Sequence, residues 1–511
     1  MRFHNEPAAA PALPDRWIFG GLLLLLLWLP LPWGSHTVLT SHIANLAALA
    51  LLSLWLLLAA AGKVHGPRHR GDLMWPVLFW ALWLGWIALQ CAPLPMDTVA
   101  AVSPRAAEAA TTAAAITGLT ADARLSIAPA LSLLELELSL GYFALYLLVL
   151  FTVRNESRAR AVLFTLVLSG AFQAAYGSAM VLSDAELGGL FQPKRSYLGN
   201  ATGTFINRNH LAGYLELTAA MGLALILADL GRGGLSGSIS RRLRGFVELF
   251  FSTKFRVRVL LVVIAIGLVL TRSRMGNVAF FSSLAVTGLL FVFFKERRHF
   301  WKAVLLFASI VVIDIAVVSN WYGLQKVAER LEATGEGDQS TQIRLIFNNE
   351  AHRAIEPYWL TGSGLGTFAP AYEALKTPDM RWYFDFAHND YAQFLIETGV
   401  IGITLLGLLV GIHLTHCLRV LMARRQRLPV AIAAGTLMAL AALALHTTVD
   451  FNLQIPANAA TLCVILGLAA SVSTRSKRQR TRRRSQSESE SQADDVNATG
   501  ISPASVQEST P

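Results

Sequence analysis

Apolar segments long enough to cross a lipid bilayer recur along most of this 511-residue chain, and they constrain its fold more than any other feature. Hydrophobic residues make up 54% of the sequence and charged residues only 15%, against about 25% charge in soluble domains. The composition therefore predicts an all-α polytopic membrane protein. We expect about twelve spans, near residues 17–33, 38–61, 74–93, 132–153, 160–182, 210–230, 258–271, 276–294, 302–321, 391–414, 429–449 and 456–473.

Basic residues occupy every second connection between these spans. They cluster near residues 63–70, 154–160, 232–258, 295–298 and 419–427, and again after residue 474. This positive-inside pattern predicts that both termini face the cytoplasm and that the alternate connections face outward. Membrane topology therefore explains the net charge of +10 without a nucleic-acid partner.

The predicted outward connections differ in length and content. The one near residues 34–37 is short, whereas residues 323–390 form a long connection with many aromatic side chains. Long loops of this kind are usually functional or disordered, and the aromatic residues favour an ordered lid. We expect a cytoplasmic N-terminus at 1–16, N-terminal membrane helices at 17–183, a membrane core at 184–474 and a disordered cytoplasmic tail at 475–511.

The tight turn "TRSRMGN" carries Arg272 and Arg274 between two predicted spans. The topology places this turn outward, where positive charge is disfavoured. An arginine near membrane depth is costly and tends to mark function, although its side chain can also snorkel to the interface. A guanidinium fork matches phosphate oxygens. Snorkelling and binding of an anionic ligand are the two explanations.

A second polar group, Asn207, Arg208, Asn209 and His210, directly precedes a predicted span. Asn207 or Asn209 is a suitable N-cap for that helix. Capping alone does not require Arg208 and His210 beside it. A helix cap and a ligand contact both stay open for this group.

The long outward connection carries Arg344 beside an apolar stripe at helical spacing. Arg344 is either a surface residue of a loop helix or a ligand contact. The connection continues into "GSGLGTF", whose three glycines predict a flexible or tight turn. No P-loop lysine follows, so these glycines are weak evidence for phosphate binding.

The stretch "FDFAHNDYAQFLIETGVIG" changes from polar and aromatic to apolar at the start of a predicted span. On one continuous helix His388 and Gly399 would share a face, and the glycine would let another helix or a lipid chain approach closely. Neutral imidazole is a suitable general base at physiological pH. We therefore predict His388 as a base, oriented by Asp385 or Asp390, with a helix cap as the alternative for Asn389 or Asp390.

The remaining polar residues and the cysteines limit which reactions the chain could catalyse. His446 and Asp450 are one helical turn apart, which predicts a hydrogen bond within a helix. The spacing of Cys91, Cys417 and Cys463 suggests neither a disulfide nor a metal site. The reaction that fits is transfer from a lipid-linked, phosphate-activated donor to an acceptor hydroxyl, with no metal or cofactor. Arginines would stabilise the diphosphate as it leaves.

His388 and Asn389, followed after nine residues by Gly399 and Gly402, resemble the His-(Asn/Ser/Gln)-x9-Gly-x-x-Gly signature of the bacterial O-antigen ligase and O-antigen polymerase superfamily. The resemblance also takes in "GTFINRNHLAGYL", "SR" in the turn at 271–277 and "GSGLGTF", and covers roughly residues 200–415. It implies a GT-C-like glycosyltransferase fold with a long periplasmic loop in the bacterial inner membrane. The implied donor is an undecaprenyl-diphosphate-linked glycan, and the implied acceptor is a lipid or polysaccharide.

By motif match, the resemblance implies that Arg274 and Arg344 bind the diphosphate and that His388 is the base. Arg272 is an alternative to Arg274, because the turn has two arginines where the family pattern shows one. The predicted catalytic residues are His388, Arg344 and Arg274, and the predicted substrate-binding residues are Arg272, Arg208, Asn209, His210 and Asn389.

Three products fit the shared signature: O-antigen on lipid A–core, a longer polysaccharide, or a glycosylated protein. We expect ligation to lipid A–core, with polymerisation as the nearest alternative. A transporter of lipid-linked glycan would also need many spans and arginines. Its charged residues would spread through a central cavity, whereas here they gather at outward-facing ends and in one long loop.

Overall fold

The computed structural model describes residues 13–66, 74–118, 123–189, 192–229, 253–295, 301, 305, 353–376, 383–423 and 425–472. These residues form helices and no strand, with one isolated bridge between Leu187 and Pro193. The helices are α1 (Leu13–Trp28), α2 (Val38–Ala60), α3 (Met74–Cys91), α4 (Met96–Val102), α5 (Pro104–Thr117), α6 (Pro129–Thr152), α7 (Glu156–Leu182), α8 (Arg208–Asp229), α9 (Thr253–Leu270), α10 (Arg274–Lys295), α11 (Phe368–Glu373), α12 (Asp390–Ala423), α13 (Arg427–His446) and α14 (Pro456–Ala470). Short 3-10 helices lie at Trp33–Ser35, Glu356–Tyr358 and Asn452–Gln454. The all-α prediction is confirmed for this part of the chain.

Eight of the described helices are long and apolar enough to cross a membrane, namely α2, α3, α6, α7, α8, α10, α12 and α13. The helices α1, α9 and α14, with 16, 18 and 15 residues, also coincide with predicted spans. Of the predicted span at 302–321, the structure describes residue 305 alone. The chain is therefore a polytopic helical membrane protein, and the total of twelve spans stays a prediction.

Helix α8 is the central helix and packs against α7, α9, α10, α13 and α14. A Cβ on Gly435 of α13 would lie only 2.7 Å from the Ala220 carbonyl oxygen of α8. Small residues allow such close backbone approach between helices in lipid, where buried polar pairs also hold helices together. One such pair places Nδ1 of His446, at the end of α13, 2.8 Å from the buried Glu216 carboxylate of α8.

Charged residues gather at the end of the bundle where α8 finishes. The Arg160 guanidinium lies 3.0 Å from the carboxylate of Asp229, the last residue of α8. Arg154 and Arg158 lie 3.2 and 2.7 Å from the buried Asp15 carboxylate, which ties α1 to the connection between α6 and α7 and to the first turn of α7. The first residue of α8 lies at the opposite end. This separation agrees with the predicted alternation of basic and non-basic connections, and which end faces the cytoplasm stays a prediction.

Helix α12 is broken at Gly399, whose φ of 65° and ψ of −175° lie in a region that essentially only glycine populates. The segment 359–364 packs into this break, where the Val400 amide donates a 2.7 Å hydrogen bond to the Trp359 carbonyl. The prediction that His388 and Gly399 share one face of a continuous helix is wrong. The helix begins after His388, and its regular path stops at Gly399.

The predicted glycine turn packs tightly against two helices. Gly362, Gly364 and Gly366 have φ values of 75°, 108° and 77°, which favour glycine. A Cβ on Gly362 would lie 2.2 Å from the Glu397 carbonyl oxygen of α12, and one on Gly366 would lie 2.6 Å from the Glu135 side chain of α6. Close packing and left-handed backbone therefore account for these glycines.

Candidate functional site

The start of α12 is joined to the segment that follows α13. The buried Asp390 carboxylate accepts hydrogen bonds from the Leu453 amide at 2.9 Å and from the Gln454 side-chain amide at 3.2 Å. The sequence predicts that Asp385 or Asp390 orients His388. Asp390 holds the Leu453 amide and the Gln454 side chain, Asp385 is exposed, and orientation of His388 by either carboxylate stays a prediction.

His388 lies two residues before the start of α12, half-buried and in the left-handed region with φ 51°. Its ring meets the ring of Phe451 edge to face, with centroids 4.9 Å apart. Asn389 caps the helix, because its Oδ1 accepts hydrogen bonds from the amides of Tyr391 and Ala392 at 3.0 and 3.1 Å. The cap fixes where α12 begins, and a substrate contact by Asn389 stays a prediction.

A second histidine reaches the same aromatic ring. His210, on the first turn of α8, packs edge to face on Phe451 with centroids 4.6 Å apart. The buried Asp450 carboxylate lies 3.6 Å from Nε2 of His210 and accepts a 2.5 Å hydrogen bond from the Asn209 side chain. His388 and His210 therefore share Phe451, and Asp450 holds the start of α8 against this point.

The polar residues around α8 and α13 have distinct partners. Asn207 caps α8, because its Oδ1 accepts a 2.9 Å hydrogen bond from the Asn209 amide. The Asn209 side chain contacts Asp450. His446 and Asp450 do not share a helix as the sequence predicts, since α13 ends at His446 and that ring contacts Glu216.

Five side chains form what we call the ring cluster: His36, His210, Phe386, His388 and Phe451. Phe386 stacks on Phe451 with centroids 4.5 Å apart and an interplanar angle of 12°. His36 lies 5.9 Å from Phe386 and 6.5 Å from His210. The cluster joins the α1–α2 connection, the start of α8, the approach to α12 and the segment after α13.

The sequence motifs do not single out three members of the ring cluster, although Phe386 lies in the stretch that leads to His388. His36, Phe386 and Phe451 lie in connections between spans, far along the chain from one another. The only local sequence feature that points to His36 is its position at a predicted membrane boundary.

Burial, and then the charge of His210, lower the pKa of His36 to about 4. His36 is therefore neutral at physiological pH.

The side chains of two arginines from elsewhere in the chain pack against the turn from Tyr197 to Asn200, which we call the arginine turn. Arg208 donates a 2.9 Å hydrogen bond to the Asn200 side-chain oxygen, and its guanidinium lies 5.8 Å from the centre of the Tyr197 ring. A Cβ on Gly199 would lie 3.8 Å from Nη1 of Arg272. The turn therefore brings together two of the predicted substrate-binding arginines.

An ion pair fixes the arginine turn from behind. Lys194 pairs with Glu186 and donates a 2.9 Å hydrogen bond to the Asn200 carbonyl, while the Gly199 amide donates to Glu186 at 2.5 Å. Burial by itself would raise the pKa of the Glu186 carboxyl, but Lys194 and the Gly199 amide lower it below its usual range. Glu186 therefore stays ionised and holds the turn in place.

Arg274 is the exposed first residue of α10. The hydroxyl of the preceding Ser273 accepts a 3.2 Å hydrogen bond from the Gly276 amide and caps the helix. A Cβ on Gly276 would lie 2.7 Å from Cβ of Ala212, so α10 starts beside the start of α8. Arg274 thus lies at the same end of the bundle as the ring cluster. Arg344 lies outside the described residues.

The described side chains at this end of the bundle offer imidazole, carboxylate, amide and guanidinium groups. Within the ranges given above, no three His, Cys, Asp or Glu side chains gather as metal ligands. The thiols of Cys91, Cys417 and Cys463 are free and buried.

Residues 259–407 match the family model described as O-antigen ligase. The matched region contains Arg272, Arg274, Arg344 and His388, whereas His36, His210 and the segment after α13 lie outside it. A comparison with curated proteins finds no match. The family match agrees with the resemblance found in the His388–Gly402 signature. The match at residues 259–407 supports the O-antigen ligase and polymerase superfamily.

Proposed function

We propose that this protein is a membrane glycosyltransferase of the O-antigen ligase type. It transfers a glycan from undecaprenyl diphosphate to a hydroxyl of lipid A–core, and its own side chains carry the reaction. The site faces the periplasm in a bacterial inner membrane, with both termini in the cytoplasm, because the basic connections follow the positive-inside pattern. The match of residues 259–407 to the O-antigen ligase family model supports the reaction class.

One observation carries the proposal: a candidate base and two guanidinium groups lie at the same end of the bundle. His388 shares the Phe451 ring with His210, and His210 follows two residues after Arg208 of the arginine turn. Arg272 lies on the same turn. A hydroxyl acceptor and an anionic leaving group require these two kinds of residue together.

In the proposed reaction, the acceptor oxygen attacks the anomeric carbon of the donor while His388 accepts the hydroxyl proton. The bond between that carbon and the diphosphate oxygen breaks, and undecaprenyl diphosphate leaves with its negative charge. Arg274 and Arg344 stabilise that charge, and Arg272 and Arg208 help to bind the diphosphate. The role proposed for Arg344 rests on the family resemblance.

The proposed catalytic core is residues 184–474, preceded by membrane helices at 17–183 and followed by a cytoplasmic tail at 475–511. The ring cluster extends beyond this core. Because His36 contacts the rings of His210 and Phe386, the N-terminal helices also contribute to the site.

The proposal is tested by incubating the purified full chain with undecaprenyl-diphosphate-linked glycan and lipid A–core. Glycan attached to lipid A–core supports a ligase. Lengthened glycan on the carrier would identify a polymerase, and glycan on added protein would identify a protein glycosyltransferase. Carrier-linked glycan moved across a vesicle membrane without any covalent product would overturn the enzyme proposal in favour of transport.

A further inference from the structure

His36 closes one side of the ring cluster, although it comes from the connection between α1 and α2. Its ring lies 5.9 Å from Phe386, which stacks on Phe451, and His388 meets Phe451 at 4.9 Å. Two stacked aromatic rings thus connect His36 to the predicted base. His36 is partly exposed at this end of the bundle.

The connection that carries His36 has an unusual and well-supported backbone. Trp33, Gly34 and Ser35 have φ values of 53°, 68° and 56°, three successive residues in the left-handed region. The Ser35 hydroxyl donates a 2.6 Å hydrogen bond to the Leu29 carbonyl. A Cβ on Gly34 would lie 2.5 Å from the Phe205 ring. Such conformations persist where surrounding structure determines them, and they cluster at functional sites.

The chemistry of the two sides of the site differs. The arginine turn presents Arg208 and Arg272, which suit the diphosphate. The ring cluster presents apolar ring faces and His36, whose pKa of about 4 keeps it neutral at physiological pH. A neutral imidazole donates one hydrogen bond and accepts another, as a hydroxyl group does. Binding sites commonly combine aromatic surface with a few such polar groups.

We propose that His36 binds a hydroxyl group of the acceptor sugar, so that the ring cluster receives the acceptor while the arginine turn receives the donor diphosphate. The inference rests on the transferase function proposed above. It assigns part of acceptor recognition to the N-terminal helices, outside the region matched by the family model.

The test measures steady-state transfer by the purified full chain, varying lipid A–core at saturating donor and then donor at saturating lipid A–core. His36→Ala removes one hydrogen-bonding group, so KM for the acceptor rises roughly tenfold, as expected for about 1.4 kcal/mol, while KM for the donor stays the same. His36→Asn, which keeps a neutral donor and acceptor, restores part of the acceptor affinity. His42→Ala is the matched control, because its ring contacts Val38 and Glu137 away from the ring cluster.

Three outcomes would overturn the inference, and they are distinguishable. An unchanged acceptor KM in both His36 variants, with wild-type transfer intact, removes the inference and leaves the proposed function standing. A lower kcat alone, with matching loss of thermal stability, indicates a structural role for His36. Absence of any covalent product from the wild-type chain removes the proposed function and the inference with it.

Discussion

Gly362 and Gly399 lie against each other in the break of α12: a Cβ on Gly399 would come within 2.6 Å of the Gly362 amide nitrogen. A Cβ on Gly362 would lie 2.4 Å from the Thr398 amide nitrogen. Because the neighbouring atoms belong to the backbone, no side-chain rotation relieves either clash. The glycine turn and the signature glycine of α12 are therefore two halves of one packing contact.

Gly399→Ala should destabilise the protein strongly. The backbone conformation alone costs an alanine roughly 1–3 kcal/mol, and the contact with Gly362 adds to this. A thermal melt of the purified protein measures the effect. Gly407→Ala is the control in the same helix, since a Cβ there meets nothing within 4 Å and alanine favours helix. Equal losses in the two variants would contradict the role of the break.

His388→Ala should reduce transfer by roughly 10²-fold or more, the usual contribution of a general base, while the protein stays folded and inserted. His388→Asn is the sharper variant, because asparagine tolerates the left-handed φ of 51° better than alanine. Turnover and melting temperature are measured together. Near wild-type turnover in His388→Asn would exclude His388 as the base.

Arg272 and Arg274 should respond differently to replacement by lysine, which keeps the charge but loses the bidentate fork. Arg272 lies on the arginine turn, so Arg272→Lys should raise KM for the donor with kcat retained. Arg274→Lys should lower kcat, because the family resemblance gives Arg274 the leaving diphosphate. A lower kcat in Arg272→Lys together with a raised donor KM in Arg274→Lys would assign the two roles the other way round.

Asp450→Ala should impair both stability and transfer. The buried carboxylate contacts the Asn209 side chain and lies 3.6 Å from His210, and breaking a buried polar or charged pair costs on the order of 3 kcal/mol. Asp97→Ala, at an exposed position of α4, is the control. Melting temperature and turnover both unchanged in Asp450→Ala would show that Asp450 does not hold the start of α8.

The pKa of His36 predicts a pH dependence of stability. An unfolded histidine titrates near 6.5, whereas His36 in the folded chain titrates near 4. Between these values the unfolded state binds more protons, so stability falls as the pH decreases from about 6.5 to 4. We expect His36→Gln to lose less melting temperature than wild type between pH 7 and pH 5. His210 and Asp450 are present in both proteins, and His42→Gln controls for loss of an imidazole.

The sequence alone predicted the membrane helices, and it offered helix capping as one of two roles for the asparagines that precede α8 and α12. Each of these depends on local information. An apolar run of bilayer length has few alternatives to a helix, and Asn207 and Asn389 precede helices at the position where an N-cap is favoured. The His388 signature, likewise contiguous, was enough to predict the superfamily.

The tertiary structure alone decided which residues meet. His36, His210, Phe386, His388 and Phe451 belong to separate connections, and helix packing places their rings in one cluster. The break at Gly399 likewise depends on the backbone of a distant turn. Local propensity favours a continuous α12, and the contact that interrupts it exists only once the bundle has assembled.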